Sequence, residues 1–339
     1  MRRRRLARRA SRFVVPALAA VLVAAALAGV AAGTDLGLIT GNEGGAYYQL
    51  GQDLKRLLKT NGVNLTVHPS RGAVDNIYAV SQRPGVQLAI VQSDVLTFVA
   101  AQHANPTIAR IAQGIRLVFP LYDEDVHILA RRELVGFEAL GGKRVAIGRE
   151  GSGTYLTARL LFKLADVTPA EMVPVDGGEA LAQLKAGQLD ALVAVIAHPI
   201  GRLRTEVRPD DGFALVPITT PAILARYPTT EIPAGTYGWQ TTPVTTVAVK
   251  AVLVAYDAQR RECESIGRLA QHVTAGLEWL TRHGHPLWKR VDLEQPIKGW
   301  EQYDCVRKYA GQPPDSGSPA ASAGERNPIA DAIKEALDR

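Results

Sequence analysis

Gly41-Asn42-Glu43-Gly44-Gly45-Ala46-Tyr47 and, further along the chain, Gly148-Arg149-Glu150-Gly151-Ser152-Gly153-Thr154-Tyr155 are the same kind of loop with one residue inserted. Each follows a short β-type run, Asp35–Thr40 or Arg144–Gly148, and leads into a helical pattern, Ala46 to Thr60 or Thr154–Ala165. On the first helix Tyr47, Leu50, Leu54, Leu57 and Leu58 recur at three-to-four spacing and define one buried face. A second likeness joins Gly85-Val86-Gln87-Leu88-Ala89-Ile90-Val91 to Gly187-Gln188-Leu189-Asp190-Ala191-Leu192-Val193. Even if these likenesses between two α/β units are chance, the architecture is unchanged: two lobes, each with a strand-to-helix glycine loop.

Outward from the loops, short β runs alternate with helical runs, which argues α/β layers. Strands are expected at Asn64–His68, Gln87–Val91, Glu171–Val175 and Asp190–Ile196, with helices at Val74–Ser81, from Asp94, and at Ala180–Ala186. Ile115–Leu121 and Val126–Ala130 read as two strands. The acids between them, Asp123-Glu124-Asp125, read as a solvated turn, the alternatives being a cation site or an acid/base pair. Thr245–Tyr256 is a long β-branched run that returns the chain to the first lobe, and a helical stretch covers Glu262 to Arg282. The lobes are therefore drawn as 34–130 plus 236–310, and 131–235. Residues 311–339 read as a flexible Pro/Ser/Gly/Ala linker ending in a short amphipathic helix, Ile329–Leu337.

With 47% hydrophobic and 21% charged residues, the 339-residue chain has a globular composition and room for two cores. Its net charge of +6 invites a nucleic-acid reading, but residues 1–33 hold seven arginines and no acid, more than the whole surplus. The body has no claim on DNA or RNA. The same 1–33 stretch has a basic start, the apolar run Phe13 to Val30 and then Ala31-Ala32-Gly33, the layout of an export signal. An uncleaved N-terminal anchor is the alternative. Cys263 and Cys305 fit no metal spacing; in an oxidising compartment they form a disulfide, and otherwise they are two buried thiols.

The first turn of a helix leaves N–H groups unpaired and carries partial positive charge, so it attracts anions. Two such starts facing one cleft hold one small anion, with Ser152 and Thr154 as further hydroxyl donors. Neither loop has the Gly-x-Gly-x-x-Gly of a dinucleotide site, the Gly-Lys-Ser/Thr of a phosphate loop, or the Gly-x-Ser-x-Gly of a nucleophile elbow. A purely structural turn is the bland alternative for each. The seven histidines show no metal spacing; His127, on an alternating apolar strand, reads as a core or hinge residue rather than a base. No cofactor and no catalytic residue is expected.

Five stretches, in order, resemble the TAXI-type substrate receptors of tripartite ATP-independent periplasmic (TRAP) transporters. They are Thr40-Gly41 through Gly44-Gly45-Ala46-Tyr47-Tyr48 and Gly51; Val91-Gln92-Ser93-Asp94; Leu121-Tyr122 with Glu124 and His127; Gly148 with Gly151-Ser152-Gly153-Thr154; and Pro233-Ala234-Gly235-Thr236-Tyr237. The resemblance runs from about Leu38 to about Trp300. It implies a type II-like periplasmic binding fold with a hinge of crossing strands and a central cleft. It also implies closure on a small carboxylate (an amino acid such as glutamate, or a dicarboxylate) and delivery to a TRAP permease in the membrane. The rival partner is a membrane sensor kinase. By position, Gly44, Gly45, Tyr47, Tyr48, Asn76, Gln92, Ser93, Gly151, Ser152, Gly153 and Thr154 would line the cleft. Arg71 and Arg149 either supply a guanidinium for a second carboxylate or are exposed surface arginines. Ala73 and Asp75 stand where serine and glutamate are common, and Asn42 and Gln49 are also unusual at their positions, which puts ligand identity in doubt more than fold.

Overall fold

The computed structural model describes residues 34–257 and 259–309, so the expected export signal at 1–33 and the tail at 311–339 lie outside the described residues. The chain opens with strand β1 (Thr34–Ile39), helix α1 (Ala46–Lys59), β2 (Val63–His68), α2 (Ala73–Gln82), β3 (Leu88–Gln92), α3 (Ser93–Ala101) and α4 (Pro106–Gly114). Strand β4 (Ile115–Arg131) then carries it into a second block. That block contains β5 (Arg144–Ala146), α5 (Gly153–Leu164), β6 (Glu171–Val173), α6 (Gly177–Lys185) and β7 (Ala191–Ile196). It continues with α7 (Gly201–Glu206), β8 (Phe213–Leu215), α8 (Pro221–Leu224) and β9 (Thr229–Ile232). Strand β10 (Val244–Tyr256) returns to the first block, and α9 (Cys263–Ala275), α10 (Leu277–His283) and α11 (Asp304–Tyr309) follow.

One sheet runs through both blocks in the order β2-β1-β3-β10-β4-β7-β5-β6, with β8 beside β4 and β9 beside β10. β1 with β3, and β5 with β6 and β7, are parallel, as βαβ crossovers require; the two long strands in the middle are antiparallel. β10 pairs with β9 through Val244–Val247 and with β3 through Ala251–Ala255. β4 pairs with β10 from Ile115 to Asp125 and with β7 from Asp125 to Ala130. The two strands thus cross between the lobes, and the register shifts in their pairing at Lys250/Val252 and Leu253/Val254.

Side chains alternate across the sheet with period two, and each lobe has a core on both faces. Leu38, Leu88 and Ile90 meet Leu50, Leu54 and Leu58 of α1 on one face, while Ile39, Ala89 and Val91 meet Ile77 of α2 and Val95 of α3 on the other. Beyond the crossing, Val126, Ile128, Val145 and Val193 pack on Leu161 and Phe162 of α5, and Leu129, Ala146 and Leu192 on Leu181 and Leu184 of α6.

Two expectations are corrected. Ile115–Leu121 and Val126–Ala130 are one continuous strand, and Asp123-Glu124-Asp125 is no solvated turn: Glu124 is 3% exposed and Asp125 0%. Their polarity reflects partners within the fold. The helical stretch after Glu262 is broken at Gly276, where an added Cβ would lie 2.5 Å from Leu57 Cδ1, so α1 passes too close for a side chain there.

Cys263, at the start of α9, is bonded to Cys305 on α11, with the Cα atoms 5.4 Å apart and 42 positions between them in sequence. A cross-link over a segment of that length narrows the unfolded ensemble and is worth about 2–4 kcal/mol. Urea unfolding of the Cys263→Ser/Cys305→Ser double variant is expected to show a loss of that size, with no further loss on adding reductant. A midpoint equal to that of the oxidised parent would show the bond adds nothing.

Candidate functional site

The two glycine loops leave the carboxyl ends of β1 and β5 and face each other across the crossing strands, the place where α/β sheets bind ligands. Between them is a cavity of about 630 Å³, lined by the starts of α1, α2, α5 and α6, by residues 192–196 of β7 and its end, and by Gln92 and Glu124. A more open groove of about 800 Å³ adjoins it and shares Asn42, Arg71 and Arg149.

Local sequence decides which helix starts are free to bind. Gly45 caps α1 without a side-chain bond, so the first-turn N–H groups there have no side-chain acceptor. Ser152 caps α5 by accepting from Tyr155 N (3.1 Å) and donates its own proton to Arg149 O (2.7 Å). Its hydroxyl is therefore spent, and the amides before Tyr155, those of Gly153 and Thr154, are the ones helix geometry leaves for an anion. Thr154 Oγ1 accepts from Val195 N at 3.1 Å, tying α5 to β7. Asp176 caps α6 by accepting from Gly178 N and Glu179 N.

The lobes touch tightly at this point. A Cβ on Gly153 would fall 1.6 Å from Gln92 Oε1, so the absence of a side chain is what lets α5 approach β3. Gly151, at φ +86°, accepts from Asp75 N at 3.1 Å. Deeper in, Thr157 Oγ1 of α5 donates to Asp94 Oδ2 of α3 at 2.6 Å. Burial raises Asp94 from 3.8 to about 6 against the bonds from Thr157 and Val95 N.

Of the residues expected from sequence, Gly44, Gly45, Tyr47, Arg71, Gln92, Arg149, Ser152, Gly153 and Thr154 line the cavity. Tyr48, Asn76, Ser93 and Gly151 are not among its lining residues. Asn76 is fully buried: its amide donates to Thr40 O and to Ile90 O (2.7 Å) and its oxygen accepts from Ser70 Oγ (2.7 Å), which fixes the first loop from behind. Ser93 Oγ accepts from Lys250 N of β10 (3.0 Å). Arg71 is engaged by Asp75 (2.6 and 3.0 Å) with its side chain 61% exposed, while Arg149 reaches across to Ser70 O (3.3 Å).

The residue missing from that expectation is Glu124. Its Oε2 accepts from Tyr47 OH at 2.9 Å and from Gln92 Nε2 at 2.7 Å. Burial raises its pKa from 4.5 to about 8; the bonds from Gln92 and Tyr47 pull the other way, and the charges of Asp94 and Asp125 add to the rise. Burial, with Glu124 next, also holds the Tyr47 hydroxyl well above the ordinary range. The signal in the sequence was an acid on an unbroken β pattern, two positions from Tyr122 on the same face.

Behind the cleft, His127 Nε2 pairs with Tyr237 OH (2.9 Å), which accepts from Ile200 N (2.9 Å) just before α7. Burial lowers His127 to about 4, so at neutral pH it is an uncharged hinge residue. Asp125 Oδ2 meets His198 Nδ1 at 2.6 Å; burial alone would raise Asp125, and His198 outweighs it, leaving the carboxyl below its ordinary value. Among the described residues no group of three or more His, Cys, Asp or Glu is placed to hold a metal ion.

A family model described as the NMT1-like family matches residues 38–263, about two thirds of the chain. Among solved structures, MatC from Rhodopseudomonas palustris with bound malate is 18% identical and superposes with a TM-score of 0.51 over 90% of this chain and 97% of that one. At that identity the likeness is one of fold. The periplasmic binding protein BugD is 13% identical (TM-score 0.48, 81% and 94% covered). A histidine kinase sensor domain with similarity to periplasmic binding proteins is 15% identical (0.47, 76% and 98%).

The raised carboxyl at Glu124 sets a pH dependence of stability. Its folded pKa, about 8, exceeds its ordinary 4.5, so its contribution is full below the ordinary value and is lost as pH rises towards 8. His127 works oppositely, but only below its ordinary 6.5. Between about pH 6.5 and 8 stability should therefore fall by about 2 kcal/mol, one proton's slope of about 1.4 kcal/mol per unit. Chemical unfolding across that window should show the fall in the parent chain and not in Glu124→Gln; equal slopes would mean that Glu124 titrates as an ordinary acid.

Proposed function

The chain belongs to the NMT1-like family, and from that premise we propose that it is an extracytoplasmic solute-binding protein which closes two lobes on a small carboxylate. The observation that carries this reading is the pair of helix starts, α1 from one lobe and α5 from the other, opening on one cavity with unpaired amides. The Tyr47 ring contributes contact to the solute's carbon frame, and the amides of Gly153 and Thr154, with the first-turn amides of α1 after Gly45, hold its carboxylate. Arg149 lies at the cavity edge as the guanidinium for a second acidic group.

The lobes in this reading are 34–130 plus 236–310, and 131–235, hinged on β4 and β10. An export signal at 1–33 and a disulfide of the kind oxidising compartments allow both support a periplasmic location. The ordered run of motifs from Thr40 to Tyr237 supports the TAXI type, with a TRAP permease as the partner that receives the solute. No residue has a catalytic role in this function.

Thermal unfolding of the chain from Thr34 onward, stripped of solute by unfolding and refolding, tests the proposal against a panel of small carboxylates. A binding carboxylate at about a hundred times its dissociation constant should add about 2.7 kcal/mol, a rise of roughly 4 °C at this size. Gly153→Ala, whose Cβ must displace Gln92, should lose that rise. No rise with any carboxylate, or an undiminished rise in the variant, would defeat the assignment.

A further inference from the structure

We propose that Asp94 is the latch of the cleft: its carboxyl holds the two lobes together while it carries a proton and lets them part when it is ionised. This rests on the two-lobed closure described above and adds what governs it.

Helix α5 belongs to two cores at once. Ala158, Leu161 and Phe162 pack in one with Val126, Ile128 and Val145, while Leu156 and Leu160 pack in another with Ile39, Ile77, Val91 and Val95. Leu160 and Thr157 are fully buried, so parting the lobes along this seam wets apolar surface. The start of α5 is also held to the first lobe through backbone. Asp75 N donates to Gly151 O at 3.1 Å, and a Cβ on Gly72 would lie 3.0 Å from Ser152 Cα. Thr157 is one turn beyond Gly153 and Thr154, so whatever grips it also places the amides of the proposed carboxylate site.

Asp94, 2% exposed at the start of α3, is what grips it. Its cover comes from the other lobe: Thr157 Oγ1 donates to Oδ2 at 2.6 Å, and Tyr227 OH, just after α8, reaches the same oxygen at 3.5 Å. The first lobe supplies Val95 N, which donates to Oδ1 at 2.9 Å. Facing Asp94 from further off are Glu124 of β4 and the Tyr47 hydroxyl of α1. Lys250 of β10, whose amide meets the neighbouring Ser93, has its ammonium on Asp123 (2.7 Å) and Gln295 (2.6 Å).

A carboxylate with hydroxyl and amide donors and an acid nearby is costly to bury, which agrees with the rise of Asp94 to about 6. Parting the lobes takes away Thr157 and Tyr227, lets water in and returns the carboxyl towards its ordinary 3.8. The closed form therefore holds the proton more tightly, and linkage requires the converse, that the proton favours the closed form. At neutral pH the charge on Asp94 loosens a seam that the leucines hold, and acidification tightens it.

Spin labels at Lys55→Cys on α1 and Gln188→Cys after α6, both exposed and on opposite lobes, test this on the chain stripped of solute. The native cysteines are bonded to each other and take no label. At pH 7 the labels should show two separations, and the closed-to-open ratio should rise about tenfold between pH 7 and 5. Asp94→Asn, checked for cooperative unfolding, keeps an acceptor for Thr157 without the charge and should stay closed at both pH values. Thr157→Val removes a donor that lowers the carboxyl, so the rise should begin at higher pH, a shift that loss of packing alone would not produce. A single separation at both pH values, the same rise in Asp94→Asn as in the parent, or an open Asp94→Asn would overturn the proposal. No solute is present, so failure here is distinct from failure of the carboxylate panel.

Discussion

The hydrogen bonding of β4 to β10 is the constraint on which the remaining structure depends. Both strands are longer than either lobe needs, and each pairs with one block at one end and with the other block at the other. Because they pair with each other despite two register shifts, the sheets of the two lobes are one sheet, and the cleft sits over its middle rather than at a free edge. Glu124 and Asp125 lie where β4 changes partners, so these buried acids sit at the crossing of the two long strands. The same stretch of β10 carries Lys250, whose amide holds Ser93 and whose ammonium holds Asp123.

Buried acids concentrate at this crossing, and each is stabilised differently. Asp125 has His198 and stays low, Asp94 has only hydroxyl and amide donors and rises, and Glu124 has two neutral donors on one oxygen and rises further. Charge neutralisation is the discriminating factor, since all three are buried. The Asp94–Thr157 bond also joins α3 to α5, so the lobes are linked by a polar contact as well as by the strands.

Much of the fold was legible because period-two and helical patterns, and the two glycine loops, are local signals. The pairs Leu38/Ile39 and Leu88/Ala89 serve opposite faces as alternation demands, and the loops lead into α1 and α5 as their glycines imply. The roles of single polar residues were less legible. Asn76 and Ser93 sit next to the cleft in sequence terms, but their side chains are consumed by backbone groups of the strands and loops that form it. Glu124 was hidden for the converse reason: its partners, Tyr47 and Gln92, are distant in sequence, and an acidic triplet between apolar runs imitates a turn. The need for a glycine at 276 was equally invisible, since the atom a Cβ would meet there is Leu57 of α1.

Ser152 and Thr154 give their hydroxyl oxygens to Tyr155 N and Val195 N, so what they present to the cavity is mainly chain, not side chain. A recognition surface made of peptide groups has no residue identity to lose. Apart from Gly153, where a Cβ meets Gln92, side-chain truncation leaves those amides in place, and so does sequence drift in the loop's side chains. In the proposed function, variation in ligand choice is then confined to the few side chains that do reach inward, while an affinity for acids would belong to the backbone that the fold itself holds in place.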